Sequence, residues 1–424
     1  MRPLIFILVS LFVWSVQVTE AAAVDLQNLV TEADRNNPSL LTARSQITVA
    51  GFRINQAMSL QDPVLSIAFS NYPVDSFKTS RTPMTGNEIR LAQTFPFPGK
   101  LDSKGRIAAE KSNWFKKTYQ NTRLQIRKQV KDAWYRLLFQ RQAIELTKRN
   151  LTLLDDFIKL TETRYEVGKG LQQNVLKAHL QRSKQMDKLF SLQRQEEATT
   201  AELNSLTGRS TESQLDIDAR LTAAENLFDL AKLQENARMK HPMSSAFSTL
   251  IEQFKAQRKL ARLDYRPDFT LWAGYRWRDD KLADGGTDFA SIGLSFPLPI
   301  RKERRKAAVA EADSSLRLAF QKRNEFHNQI NLEIHRSLTN YTQAIKLAEL
   351  YRSGIIPQAS QTFQATLSAY QVDKVDFLDL LDSLMSLYRY EIDHIKALRD
   401  QHRSMAAIEA AAALNLELLP ATEG

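Results

Sequence analysis

Two aspartates, Asp379 and Asp382, stand three residues apart in the run Asp376-Phe377-Leu378-Asp379-Leu380-Leu381-Asp382. In a helix that spacing puts both carboxylates on one face. Such a pair attracts cations, or it complements the positive end of the helix it opens. Asp376 reads as the helix cap. Two clusters of cations also stand out: Lys100, Lys104 and Arg106, then Arg301, Lys302, Arg304, Arg305 and Lys306. Each opens a long helix, where positive charge opposes the macrodipole. Lipid phosphates would favour them there, and so would plain solvation. The six histidines, His179, His241, His327, His335, His394 and His402, form no paired metal motif. His327/His335 and His394/His402 are eight apart and so do not share a helix face. No nucleophile elbow, phosphate loop or dinucleotide fingerprint is present. The residues point to no catalytic site, no metal and no cofactor.

The elements that hold these residues are mostly long helices. Glycine is only 13 of 424 residues, less than half its usual share of roughly 7%. There is no cysteine, which excludes disulfides and thiolate sites. The net charge of +10 is modest for this length and does not imply nucleic acid. Arg2, the apolar run 4–18 and Ala21-Ala22-Ala23 have the make-up of a cleaved signal peptide over 1–23. No later stretch is apolar enough to cross a membrane as a helix, so an embedded chain would have to enter as part of a β-barrel.

The chain repeats itself. Asn37-Pro38 recurs as His241-Pro242 and Pro63 as Pro267, each 204 residues on. Phe95-Pro96-Phe97-Pro98 recurs as Phe296-Pro297-Leu298-Pro299, and Gln142-Ala143-Ile144 as Gln343-Ala344-Ile345, each 201 residues on. Matches in register mark a duplicated unit. The expected organisation is a first repeat over 24–208, a linker over 209–224, a second repeat over 225–416 and a tail over 417–424.

Each unit has the same order. A helical segment, 25–60 or 226–265, comes first. Two strands follow: 64–72 and 88–95, then 269–277 and 289–296. Leu65, Ile67 and Phe69 alternate with Ser66, Ala68 and Ser70, the period of a half-buried strand. Phe269, Leu271, Ala273, Tyr275 and Trp277 alternate likewise, although Trp272 breaks the pattern. A long helix over 101–166 keeps a 4-3 apolar step through Ile126, Val130, Ala133, Leu137, Ile144, Leu151, Leu154 and Ile158. That is a coiled-coil seam. Gln140, Thr147 and Thr161 interrupt it, so a seam that is not fully dry is expected. A return helix over 172–207 follows. The second long helix, 301–369, should kink near Pro357. The fold class is mainly α with a small β part, built from a duplicated helix–strand–strand–helix–helix unit. Four strands cannot close a barrel, and an open edge is not tolerated in lipid. Three chains give twelve strands. A trimeric 12-stranded β-barrel, continued by a long α-helical barrel, follows if the strands lie in a membrane.

These features resemble the TolC-type outer membrane efflux family over essentially the whole mature chain. Gln93-Thr94-Phe95-Pro96-Phe97-Pro98-Gly99-Lys100 resembles the strand-to-helix junction of its heavy-metal efflux branch. Arg164-Tyr165-Glu166-Val167-Gly168 resembles the first helix tip. Ile356-Pro357-Gln358-Ala359, Tyr370-Gln371-Val372 and the aspartate run resemble the second-repeat signature. The resemblance implies a homotrimer in the outer membrane of a Gram-negative cell. Its tunnel would receive cargo from an inner-membrane pump through a periplasmic adaptor. It also implies that Asp379, Asp382 and Tyr370 belong to the periplasmic entrance. The adaptor would dock on the two tip turns, Val167, Gly168, Lys169, Gly170 and Leu171, and Val372, Asp373, Lys374 and Val375. The family's latch of Asp, Tyr and Arg maps to Asn174, Tyr370 and Val375, so only the tyrosine is retained. Asp373 stands where the family usually has glycine. The competing reading is a periplasmic coiled-coil adaptor or scaffold that never enters the membrane.

Overall fold

The computed structural model describes residues 25–224 and 226–414. The expected signal peptide and the expected tail over 417–424 lie outside the described residues. The chain folds as helices α1 (Leu26–Asn36), α2 (Pro38–Met58), α3 (Lys100–Glu166), α4 (Gln172–Thr207), α5 (Leu230–Lys240), α6 (Pro242–Leu263), α7 (Lys302–Glu349), α8 (Ile356–Gln371) and α9 (Phe377–Ala412). One four-stranded sheet is formed by β1 (Val64–Ser70), β2 (Gly86–Phe95), β3 (Phe269–Trp277) and β4 (Phe289–Ser295).

The two leading segments, expected as single helices, are each split at an X-Pro step. The residue before a proline avoids helical backbone, and Asn37 and His241 are extended, with ψ 124 and 130. Each then caps the next helix. Asn37 Oδ1 accepts from the Ser39 and Leu40 amides, and His241 Nδ1 accepts from the Met243 amide. Pro38 and Pro242 occupy the first helical position, where no amide is needed.

The 67 residues of α3 run without a break, a rod of about 100 Å. All eight apolar residues of the 4-3 seam are buried. So are Gln140, Thr147 and Thr161. Each of these three side chains bonds within the protein, although Gln140 Oε1 is buried without a hydrogen-bond partner among the described residues. Gln140 Nε2 donates to Thr199 Oγ1 at 2.9 Å. Thr147 Oγ1 donates to the Ala143 carbonyl and meets the Tyr388 hydroxyl at 2.8 Å. Thr161 Oγ1 donates to the Phe157 carbonyl. In the second unit the interruption is a wide π turn over Leu350–Ile355, where the Ile356 amide bonds to the Tyr351 carbonyl five residues back. The wide turn makes room for Pro357, which lacks an amide and would crowd a normal turn.

The sheet order is β1-β2-β3-β4, antiparallel throughout. Its register lines up one apolar face in rows: Leu65-Leu91-Ala273-Ile292, then Ile67-Ile89-Tyr275-Ala290, then Phe69-Asn87-Trp277. This face is bare. Leu65 is 60% exposed and Ile292 is 77% exposed. The other face carries Ser66-Arg90-Gly274-Ser291 and Thr94-Thr270-Ser295. Trp272 belongs to this polar face, and its ring lies 3.6 Å under the Arg90 guanidinium. That contact accounts for its break in the alternation. Aromatic residues mark both ends: Phe95 stacks on Phe269 at 5.5 Å, and Tyr275 and Trp277 lie at the other end. From Phe269 to Trp277 a strand spans about 27 Å, close to the roughly 25 Å apolar band of an outer-membrane barrel. No described helix is long and apolar enough to cross a membrane.

His241 is 1% exposed, and burial lowers its pKa to about 4. It stays neutral in the folded chain while the unfolded chain takes a proton near its ordinary value. Its contribution to stability is therefore complete above pH 6.5 and is lost as the pH drops toward 4. His241→Asn, which copies the equivalent cap at Asn37, should keep the cap and flatten part of that loss. Melting temperatures from pH 7 to pH 4 check this: parallel curves for both proteins would contradict it.

Candidate functional site

Both hairpins end in the same turn. At the first, the Gly168 amide bonds to the Tyr165 carbonyl at 2.9 Å and the Lys169 amide to the Arg164 carbonyl at 2.8 Å. At the second, Asp373 bonds to Tyr370 at 3.2 Å and Lys374 to Ala369 at 2.9 Å. This is the Schellman pattern, which needs a left-handed residue just past the helix. Gly168 supplies it with φ 74, and Asp373 with φ 58. An aspartate tolerates that conformation better than most residues but not freely.

Arg164 compensates. Its Nη1 pairs with the Asp373 carboxylate at 2.5 Å. Its Nη2 donates to the Tyr370 carbonyl at 2.9 Å and the Gln371 carbonyl at 3.3 Å, so it caps α8 from the other hairpin. Its guanidinium also lies 4.2 Å over the Tyr370 ring. One side chain from α3 thus fixes the whole second turn. Arg164 was legible in the sequence as a motif residue but not in this role.

Tyr370 is only 5% exposed. It packs with Phe157, Phe377, Leu380 and Ala178 in a cluster that joins the two hairpins. Burial pushes its phenol up, partly opposed by Arg164. Val375 borders this cluster, and Asn174 is buried in the first turn of α4. Val167, Leu171 and Val372 are exposed at the tips, beside exposed Lys169 and Lys374 and partly covered Gly170.

Asp379 and Asp382 face elsewhere. They line one groove of about 560 Å³ between α8 and α9, with Gln358, Thr362, Thr366, Ser383, Ser386 and Tyr390. The capping work falls to Asp376, whose carboxylate accepts from the Phe377 amide at 2.6 Å. Neither groove carboxylate makes a hydrogen bond or ion pair among the described residues. The structure therefore brings Asp379 and Asp382 together and places Tyr370 apart from them, inside the packing. Among the described residues, no three His, Asp or Glu side chains group as a metal site.

Lys100 departs from its expected setting. It is 6% exposed, pairs with Asp268 at 2.9 Å and Asp264 at 3.5 Å, and donates to the Arg266 carbonyl at 2.8 Å. Its partners are far off in sequence, so it holds the β2–α3 junction to the α6–β3 junction and is closed to lipid. Arg301, its counterpart in the second unit, is exposed.

A bare apolar sheet face set on long paired helices defines an outer-membrane duct. The chain belongs to the outer membrane efflux protein family, whose profile matches residues 29–209 and 235–414. It is similar to the cobalt-zinc-cadmium resistance protein CzcC of Cupriavidus metallidurans, 22% identical over 92% of this chain and 90% of that protein. Its fold is that of the outer-membrane channel OprN, with TM-score 0.78 and 18% identity over 91% of this chain and 89% of the other. A membrane protein from Pseudomonas aeruginosa superposes with TM-score 0.80 and 17% identity, covering 92% of this chain and 93% of that one. The chain is an efflux protein of the Gram-negative outer membrane, with a helical periplasmic extension.

Arg164→Ala should leave Asp373 in its left-handed backbone without an anchor. The ion pair is partly exposed, so it contributes only about 0.2–1 kcal/mol, and the stacking on Tyr370 about as much again. The expected result is local: several-fold faster Lys-specific proteolysis at Lys374, with global melting nearly unchanged. Adding Asp373→Gly, which removes the backbone strain, should restore resistance. Unaltered proteolysis in Arg164→Ala would show that the clamp does not order the turn.

Proposed function

We propose that this protein is a homotrimeric, passive exit duct. It conducts cargo from an inner-membrane pump and a periplasmic adaptor across the outer membrane. The observation that carries the reading is the sheet, which has one exposed apolar face and unpaired edges at β1 and β4. Lipid covers such a face and other copies of the chain close such edges. A periplasmic scaffold has no use for either feature.

The exposed Val167, Leu171 and Val372 at the tips suit an adaptor's apolar contacts, and the Arg164 clamp holds the second turn in shape. Asp379 and Asp382, without a hydrogen bond or ion pair among the described residues, would line the periplasmic entrance as stacked rings of three carboxylates each. Rings of like charge in a narrow opening attract cations and focus their field. Similarity to a cobalt-zinc-cadmium resistance protein favours cationic cargo for the same site.

Purified protein in planar bilayers tests this without pump or adaptor. Wild-type channels should prefer cations and be blocked by multivalent cations. Asp379→Asn with Asp382→Asn should reduce both effects several-fold while conductance steps persist. A purely structural role predicts a modest loss of stability with selectivity and block unaltered. Absence of any conductance in the wild type would overturn the duct itself.

A further inference from the structure

The duplication lets the seam inside the chain serve as a template for the seam between chains. β2 runs into α3 through Phe95–Lys100, and β4 runs into α7 through the equivalent Phe296–Arg301, 201 residues on. The approach to β3, Asp264 to Asp268, corresponds to Leu60 to Val64 before β1, 204 residues earlier. Within the chain β2 pairs with β3, with Phe95 opposite Phe269, Thr94 opposite Thr270 and Gln93 opposite Leu271. Carrying both shifts over puts Ser295 of β4 opposite Ser66 of β1, and Leu294 opposite Ile67. One chain cannot make this pair, because β1 and β4 are the two outer strands of its sheet. A second copy can.

Parity supports the transferred register. Leu294 and Ile292 share the apolar face of the sheet with Ile67 and Leu65, and Ser295 shares the polar face with Ser66. A slip of one residue would mix the faces.

The inner seam is fastened by Lys100, which donates to the Arg266 carbonyl and pairs with Asp268 and Asp264. At the outer seam Arg301 takes the place of Lys100. Leu60 and Val64 take the places of Asp264 and Asp268, so those two acids are missing. Asp62 takes the place of Arg266, the residue whose carbonyl receives the lysine. Arg301 and Asp62 are both exposed, and neither side chain has a hydrogen bond or ion pair among the described residues. Leu298 and Ile300 stand bare on one side of this seam, Met58 and Leu60 on the other.

We propose that Arg301 pairs with Asp62 of a neighbouring copy, an intersubunit strap that fastens β4 to that copy's β1 and covers the apolar residues around it. The strap rests on the trimer reading above. It replaces a lysine held by two carboxylates with a single arginine–aspartate pair, so the seam between chains should be the more salt-sensitive of the two.

The chain has no cysteine, so engineered thiols report without background. Ser66→Cys with Ser295→Cys should oxidise to a covalent trimer, since directly opposed strand residues fall within disulfide reach. Asp62→Cys with Arg301→Cys should be joined by a short bis-maleimide, and the single variants should stay monomeric after denaturation. Arg301→Glu should lower the temperature at which the trimer dissociates in detergent, and adding Asp62→Arg should recover most of that shift. A trimer of normal mass that neither cross-links at 62 and 301 nor responds to the charge reversal would overturn the strap and leave the trimer standing. Loss of binding to phosphatidylglycerol vesicles by Arg301→Glu, with the dissociation temperature unchanged, would assign Arg301 to lipid phosphate and overturn it too. A wild-type protein that is monomeric in detergent would overturn the underlying reading.

Discussion

A four-stranded sheet with two open edges cannot rest in lipid. Each unpaired amide and carbonyl in the hydrocarbon layer costs several kcal/mol, and β1 and β4 present a row of them. The apolar rows from Leu65 to Ile292 make water an equally poor solvent for the outer face. These two demands conflict for one chain, and in the proposed trimer closure with other copies meets both. The rest of the molecule is arranged around that requirement. The duplicated unit gives each chain two strand pairs, and each strand leads into or out of a rod that continues the wall below.

The junctions couple the sheet to the rods. Lys100 ties the first long helix to the approach of β3, so the sheet register and the rod positions are set as one. The α3 seam remains buried even at Gln140, Thr147 and Thr161, because each of these side chains has a partner inside the protein. At the far end Arg164 joins the two tips through Asp373 and the α8 carbonyls. The second long helix is the less regular, with its π turn at Leu350–Ile355. The carboxylate groove lies just beyond that turn, between α8 and α9.

Much of this was legible in the sequence because it rests on period and repetition. Alternation along β3 gives the face of each residue, and a 4-3 step along α3 gives the buried seam. The return helix over 172–207 is bounded by glycine turns that read directly. The breaks at Asn37-Pro38 and His241-Pro242 carry a local signal of their own, because the residue before a proline avoids helical backbone. What could not be read depends on partners distant in the chain. Lys100 reads as a solvent or lipid cation until Asp264 and Asp268 are brought beside it. Arg164 reads as one letter of a motif until the other hairpin arrives with Asp373. Tyr370 reads as a motif residue, and its packing against Phe377 depends on a residue that only the next helix brings beside it. Trp272 looks like an error of alternation until Arg90 is seen across the strand pair.

The central claim is that three copies close one barrel. Native mass spectrometry of the detergent-solubilised protein tests it most directly, since the particle mass divided by the chain mass gives the copy number without reference to shape. The account predicts three chains and no stable species of one. A stable, folded monomer that inserts into bilayers would contradict it, because its two sheet edges would then lie open in lipid.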